Sequence, residues 1–260
     1  MSHLQFLGTG PGSPVPGKLF SSCVLKHGAS IVLVDAGEPC SQRLVECGIS
    51  SADIDAVLLT HAHSDHTAGL PMLLQSAWLA PRRKALPVYL PGELILPLEA
   101  WLRAVYLPSP LLGFELSFLP WSSGRADSVA PNVEVTPFPT THLEGLRRII
   151  DPAATSGFEV FGLDVRCGSK RVVFSSDLGS PADLAPVLGA PCDVLVCELS
   201  HFEPAELFSF LDGKNISTLI LNHLAPELTG KEGQIAEEAR RALPALRRVV
   251  VPEDGETVEF

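Results

Sequence analysis

The amino-acid sequence predicts an α/β protein with helices packed over mixed sheets. Short runs rich in Val, Ile and Leu recur along the 260 residues, and helical stretches separate several of them. Apolar residues make up 46% of the chain, enough for a sizeable core, yet no apolar run reaches the length of a membrane span. No internal repeat, low-complexity tract or composition break divides the chain, so residues 1–260 read as one domain.

Residues 4–7 read as the first strand. No basic segment, apolar stretch and small-residue cleavage site precede them, so no export signal is expected and a cytoplasmic location follows. Further strands are expected at 30–34, 56–59, 88–90, 133–135, 160–161, 171–174, 193–197, 218–221 and 248–251, each a short apolar or β-branched run. Helices are expected at 41–47, 70–79 and 233–243, with another at 97–106. Residues 81–139 are rich in proline and least regular, but their apolar content argues for packing and against a linker. Residues 249–260 read as a closing hairpin turned by Asp254-Gly255.

The six cysteines, Cys23, Cys40, Cys47, Cys167, Cys192 and Cys197, show no CxxC spacing and are expected as reduced thiols. The net charge of −11 disfavours extended binding to a polyanion, which needs a basic face. The basic runs Arg82-Arg83-Lys84 and Arg147-Arg148 read as solvated faces.

The most informative stretch follows the apolar run Val57-Leu58-Leu59. His61, His63, Asp65 and His66 fall within six residues, between a predicted strand and a predicted helix. Buried polar groups in such a place are costly unless something binds them. Imidazoles suit zinc, iron, nickel and copper, and a carboxylate widens the range toward manganese. Two histidines at i and i+2 of an extended segment project from one side and can reach one ion. Asp65 and His66 point elsewhere and can reach a second. His142, Asp177 and His223 each end a strand-like run and add three more donors. Taken singly, each of the two histidines reads equally as a structural side chain.

This pattern resembles the metallo-β-lactamase superfamily over nearly the whole chain. Asp35-Ala36-Gly37, the 61–66 cluster, His142, Asp177 and His223 are similar to its five motifs. The resemblance implies an αββα sandwich with metals at one edge, between the sheets. It implies one ion on His61, His63 and His142, another on Asp65, His66 and His223, Asp177 bridging them, and Asp35 as a buried supporting carboxylate. Within the superfamily the chain is most similar to the ribonuclease Z branch, through Phe6-Leu7-Gly8-Thr9-Gly10, Pro14, Ser21-Ser22, Thr67-Ala68-Gly69-Leu70-Pro71 and Asp254-Gly255. Glu198, in Cys197-Glu198-Leu199-Ser200-His201-Phe202, matches the Glu of that branch's His-Glu-Ala-Thr motif. Two departures stand out. His142 and Asp177 are 35 residues apart, which leaves no room for the tRNA-gripping arm, and no histidine lies from Phe202 to Asn222. His201 is the nearby substitute.

The expected function is a dinuclear metal-dependent hydrolase, a phosphodiesterase first. Two ions ~3.5–4 Å apart can share a hydroxide, bring its pKa toward neutrality and clamp both oxygens of an in-line displacement. Zinc is the first expectation, with manganese or iron as alternatives. Asp65 would also hold the hydroxide's proton, and His201, oriented by Glu198, would protonate the leaving oxygen. Arg147 or Arg148 could touch a phosphate oxygen, with a solvated face as the first reading for both. An ester, lactone or sulfate-ester hydrolase and a ribonuclease Z-type tRNA 3′ endonuclease are alternatives on the same site. An iron oxidoreductase is disfavoured because His63 stands where flavin-linked iron members usually carry Glu. All seven ligands argue against an inactive scaffold. The expected partner is a small-molecule or short phosphodiester substrate, with extended nucleic acid disfavoured, no membrane, and a homodimer allowed.

Overall fold

Strand runs that are apolar on successive residues require cover on both faces, and the fold provides it. The computed structural model describes residues 2–151, 153 and 157–260. Two seven-stranded sheets pack face to face. The first holds β1 (Ser2–Gly8), β2 (Ser22–His27), β3 (Ser30–Val34), β4 (Ala56–Leu58), β5 (Leu86–Leu90), β6 (Leu116–Pro120) and β14 (Thr257–Glu259), in the order β14-β1-β2-β3-β4-β5-β6. The second holds β7 (Asp127–Ala130), β8 (Val133–Pro139), β9 (Phe161–Cys167), β10 (Lys170–Phe174), β11 (Cys192–Leu199), β12 (Ile216–Leu224) and β13 (Arg248–Val250), in the order β13-β12-β11-β10-β9-β8-β7. The helices are α1 (Cys40–Glu46), α2 (Ser64–Thr67), α3 (Leu70–Leu79), α4 (Ile95–Ala104), α5 (Glu144–Ile150), α6 (Pro204–Leu211) and α7 (Glu232–Ala242).

The pleat sorts the side chains into layers. In β3, Val32 and Val34 enter the core between the sheets, while Ile31 and Leu33 pack with Leu44 of α1 and Leu70, Leu73 and Leu74 of α3. In β11, Val194 and Val196 face the central core, while Leu195 and Cys197 pack with Leu207 of α6 and Ile235 and Ala239 of α7. The result is the expected αββα sandwich. In both sheets the later strands run parallel, β3 to β6 and β10 to β13. Their carboxyl ends therefore gather at one edge, where α/β proteins place their sites.

Three strands (β2, β6 and β7) and three helices (α2, α5 and α6) lie outside the expected elements. The closing hairpin is corrected. β13 pairs in parallel with β12 of the second sheet, and β14 pairs antiparallel with β1 of the first. The Asp254 turn crosses between sheets because its carboxylate accepts the Thr9 N–H (2.8 Å), the Thr9 hydroxyl (2.7 Å) and the Leu19 N–H (2.6 Å). The Arg82 expectation is corrected too. Arg82 is 1% exposed. Its guanidinium donates to the carbonyls of Ser51, Ala52, Ile54, Lys84 and Ala85 at 2.7–3.1 Å. Five fixed acceptors replace water for a charge that burial would otherwise expel. Arg83 and Lys84 stay exposed. All six cysteines are free. Among the described residues no helix is long and apolar enough to cross a membrane.

Candidate metal centre

The site grows from loops at the carboxyl edge. After β4 the chain stays extended through His63 (φ −59°, ψ 145°) and then turns into α2. His61 and His63 therefore project from the extended part, and Asp65 and His66 from the first helical turn. Gly37 lets this turn approach, because a Cβ there would collide with the Asp65 carbonyl. From the second sheet come His142 after β8, Asp177 after β10 and His223 near the end of β12.

Three groups of metal-capable atoms form among the described residues, one of them Asp177 with Glu198 and His201. His61, His63, His142 and Asp177 offer atoms within 4.8 Å of one another, and so do Asp65, His66 and His223. Asp177 lies between them. Its Oδ2 is 3.7 Å from His61 Nε2 and 3.6 Å from His142 Nε2. Its Oδ1 is 3.4 Å from His66 Nε2 and 3.6 Å from His223 Nε2. Asp65 Oδ2 completes the second group at 3.3 Å from His66 Nε2 and 3.8 Å from His223 Nε2.

The opposite ring nitrogens are held from behind. His66 Nδ1 donates to Asp35 Oδ2 at 2.7 Å, and Asp35 Oδ1 also accepts the Thr60 N–H at 2.8 Å. His61 Nδ1 lies 3.1 Å from the Thr60 hydroxyl, and His223 Nδ1 lies 2.8 Å from the Ser21 hydroxyl. These contacts aim Nε2 of each ring into the site. The Nε2 atoms of His61 and His66 are buried with no hydrogen-bond partner. Buried polar atoms are rarely left so, and a mixed imidazole and carboxylate set fits a divalent metal.

Electrostatics agree with that use at three of the rings. Burial pushes His61 well below the ordinary imidazole range and His142 down to about 4, outweighing the attraction of Asp177. Burial lowers His63 as well. Neutral rings keep the lone pairs that a metal needs. Burial opposes ionisation of Asp177, but His223 and His66 hold its carboxyl well below the usual range. Burial likewise opposes charging of His66, yet Asp177 and Asp35 push it well above its ordinary value.

Beside the donors, Glu198 is buried and accepts the Leu178 N–H and the Ser200 N–H, each at 2.7 Å. It also pairs with His201 Nδ1 at 2.8 Å. The His201 ring lies 4.4 Å from the His142 ring and is about one-third exposed (34%). Burial opposes its charging, but the Glu198 hydrogen bond and charge raise its pKa. Of the two arginines after His142, Arg148 is exposed and paired with Glu144 at 3.4 Å, while Arg147 is half-buried and lines a cavity with Thr140.

Three supporting residues carry no ligand signature in the sequence, and Asp183 is the first of them. Asp183 accepts the Thr141 N–H (2.9 Å), the Thr141 hydroxyl (3.0 Å) and the Gly179 N–H (2.9 Å). It ties the His142 loop to the Asp177 loop. The only signal is Ser180-Pro181, a turn start that brings the chain back over Gly179. Ser21 and Thr60 are the other two, as ring supports.

Residues 31–248 match a family described as the beta-lactamase superfamily domain. A ribonuclease Z of Pseudomonas putida (strain F1) is 29% identical over 273 aligned residues, covering 85% of this chain and 84% of the relative. The metallo-beta-lactamase fold protein YhfI from Bacillus subtilis superposes with a TM-score of 0.78 at 19% identity, covering 100% of this chain and 99% of its own. Human tRNase Z, short form, superposes with a TM-score of 0.73 at 18% identity, covering 99% and 98%. At these identities the two structures show a shared fold.

Proposed function

The chain belongs to the β-lactamase superfamily and is a metal-dependent hydrolase, and we propose that it cleaves phosphodiesters smaller than tRNA at a centre of two divalent ions, zinc for preference. The observation that carries this reading is Asp177. Each of its oxygens faces a different pair of imidazoles, as a carboxylate shared between two ions would. When bound, two ions supply a nucleophile at neutral pH and positive charge for both oxygens of an in-line displacement. His61, His63 and His142 would hold one, Asp65, His66 and His223 would hold the other, and Asp177 would serve both. Asp65 would also accept a hydrogen bond from the nucleophile. His201 donates a proton to the leaving oxygen, with Glu198 fixing its ring.

A small substrate is favoured because only 35 residues separate His142 from Asp177. Much of that span is taken by α5, β9 and β10. The net charge of −11 also offers a poor field for a long polyanion. A second reading, tRNA 3′ processing, has the ribonuclease Z relative in its favour.

Elemental analysis of protein from metal-replete medium should find about two ions per chain. The loaded enzyme should hydrolyse bis(p-nitrophenyl) phosphate faster than matched carboxylate or sulfate esters. It should also prefer that diester to precursor tRNA. Cleavage of precursor tRNA at its 3′ end with higher efficiency than any small diester would overturn the small-substrate reading.

A further inference from the structure

A cavity of about 340 Å³ adjoins the metal centre. Small-molecule sites span ~300–1,000 Å³. Its walls are hydrogen-bonded to the loops that carry the centre. Thr140 lines it, and the Thr140 hydroxyl donates to the Asp177 carbonyl at 2.7 Å. Phe161 lines it as well, and its N–H donates to the Thr60 carbonyl at 3.1 Å, one residue before His61.

The remaining lining is aromatic and charged. Trp121 is locked by its indole N–H to the Leu59 carbonyl (2.9 Å) and by stacking on Tyr89, ring centres 5.1 Å apart. Phe158 is half-buried and sits at φ +57°, in the left-handed region that a bulky residue rarely occupies. The Glu93 carboxylate holds it there, accepting the N–H groups of Phe158 (2.8 Å) and Glu159 (2.7 Å). Backbone held in such a conformation tends to mark a ligand clamp. Glu144 and Arg147 are three residues apart on α5 and share its face. Glu159 adds a second carboxylate, whose Oε2 accepts the Gly92 N–H at 3.1 Å.

Glu144 is also paired with Arg148 at 3.4 Å, so two carboxylates, Glu144 and Glu159, are balanced by two guanidinium groups. A balanced lining gives a second phosphate no net attraction and suits an uncharged group that exchanges hydrogen bonds. Aromatic walls and a guanidinium plane select a flat ring. We infer that this cavity seats the uncharged, N–H-bearing heterocycle of a nucleotide diester whose phosphate lies against Asp177. Glu144 accepts from the ring amine, Phe158 stacks on the ring, and Arg147 lies over it or donates to its carbonyl. This assignment rests on the phosphodiester reading above and names its substrate class.

Calorimetry on the metal-loaded protein tests it, with adenosine 5′-monophosphate against phenyl phosphate and ribose 5-phosphate. The three share a phosphate monoester and differ in the group beyond it. The adenosine compound should bind about tenfold tighter than either control, the scale of one stacked base. Glu144→Ala and Phe158→Ala, each confirmed folded by a circular-dichroism melt, should each remove most of that preference. Equal affinity for the three ligands in the wild type would overturn the subsite, and so would a preference that survives both substitutions. Turnover of bis(p-nitrophenyl) phosphate by the wild type reports on the reaction separately. Protein that ignores that diester yet prefers adenosine 5′-monophosphate, with the preference lost in both variants, refutes the reaction and upholds the cavity.

Discussion

At the scale of single residues, chemistry follows from what holds each ring. His201 illustrates it. It has no part in the two main donor groups, yet Glu198 fixes its Nδ1 at 2.8 Å and its ring reaches the His142 ring. A general acid matters in proportion to how poor the leaving group is. His201→Ala should therefore slow diesters of alkyl alcohols by about 10²–10⁴-fold, the usual worth of general acid catalysis, and bis-nitrophenyl diesters far less. Steady-state rates across a leaving-group series check this, and equal slowing throughout would remove the proposed role. The candidate donors were readable because metal-capable residue types are few and their spacing is local. Ser21, Thr60 and Asp183 were not readable, because common polar residues gain a role only from the partner they meet.

At the scale of elements, the site is a set of loops clamped together. Asp183 binds the loop after β8 to the loop after β10, and Gly179 permits the contact. A Cβ at Gly179 would meet the Thr141 hydroxyl and sit 2.8 Å from the Thr141 carbonyl carbon. Gly179→Ala should force these loops apart, cost about 1–3 kcal/mol of stability as overpacking does, and weaken metal binding. Urea unfolding and a competitive chelator titration measure the two effects. Unchanged values in both would show that the loops are not coupled. Long periodic elements such as α3 and buried runs such as β3 and β11 were legible. Helix α5 was not, because Leu146, Ile149 and Ile150 are exposed and mark no core-facing stripe. Strand β7 is short and half polar, and α6 is too short for periodicity to separate it from a strand.

At the scale of the whole molecule, the proposed ligands come from both sheets. His61, His63, Asp65 and His66 belong to the first, and His142, Asp177 and His223 to the second. Metal bound there links the two halves and stabilises the native state alone. Chelation should therefore lower the melting temperature in scanning calorimetry, and added zinc should restore it. A melting temperature indifferent to chelator would separate the site from the fold's stability. The α/β class, the apolar strands and the cluster of metal-capable side chains were written in the chain order, because residue type and short-range period act locally. Tertiary structure alone decided that the last two strands join different sheets, that Arg82 is buried under five carbonyls, and that Glu144 and Arg147 border a cavity beside the metal centre. Each of those outcomes depends on segments far apart in the chain meeting in space, and on which buried polar groups then find partners.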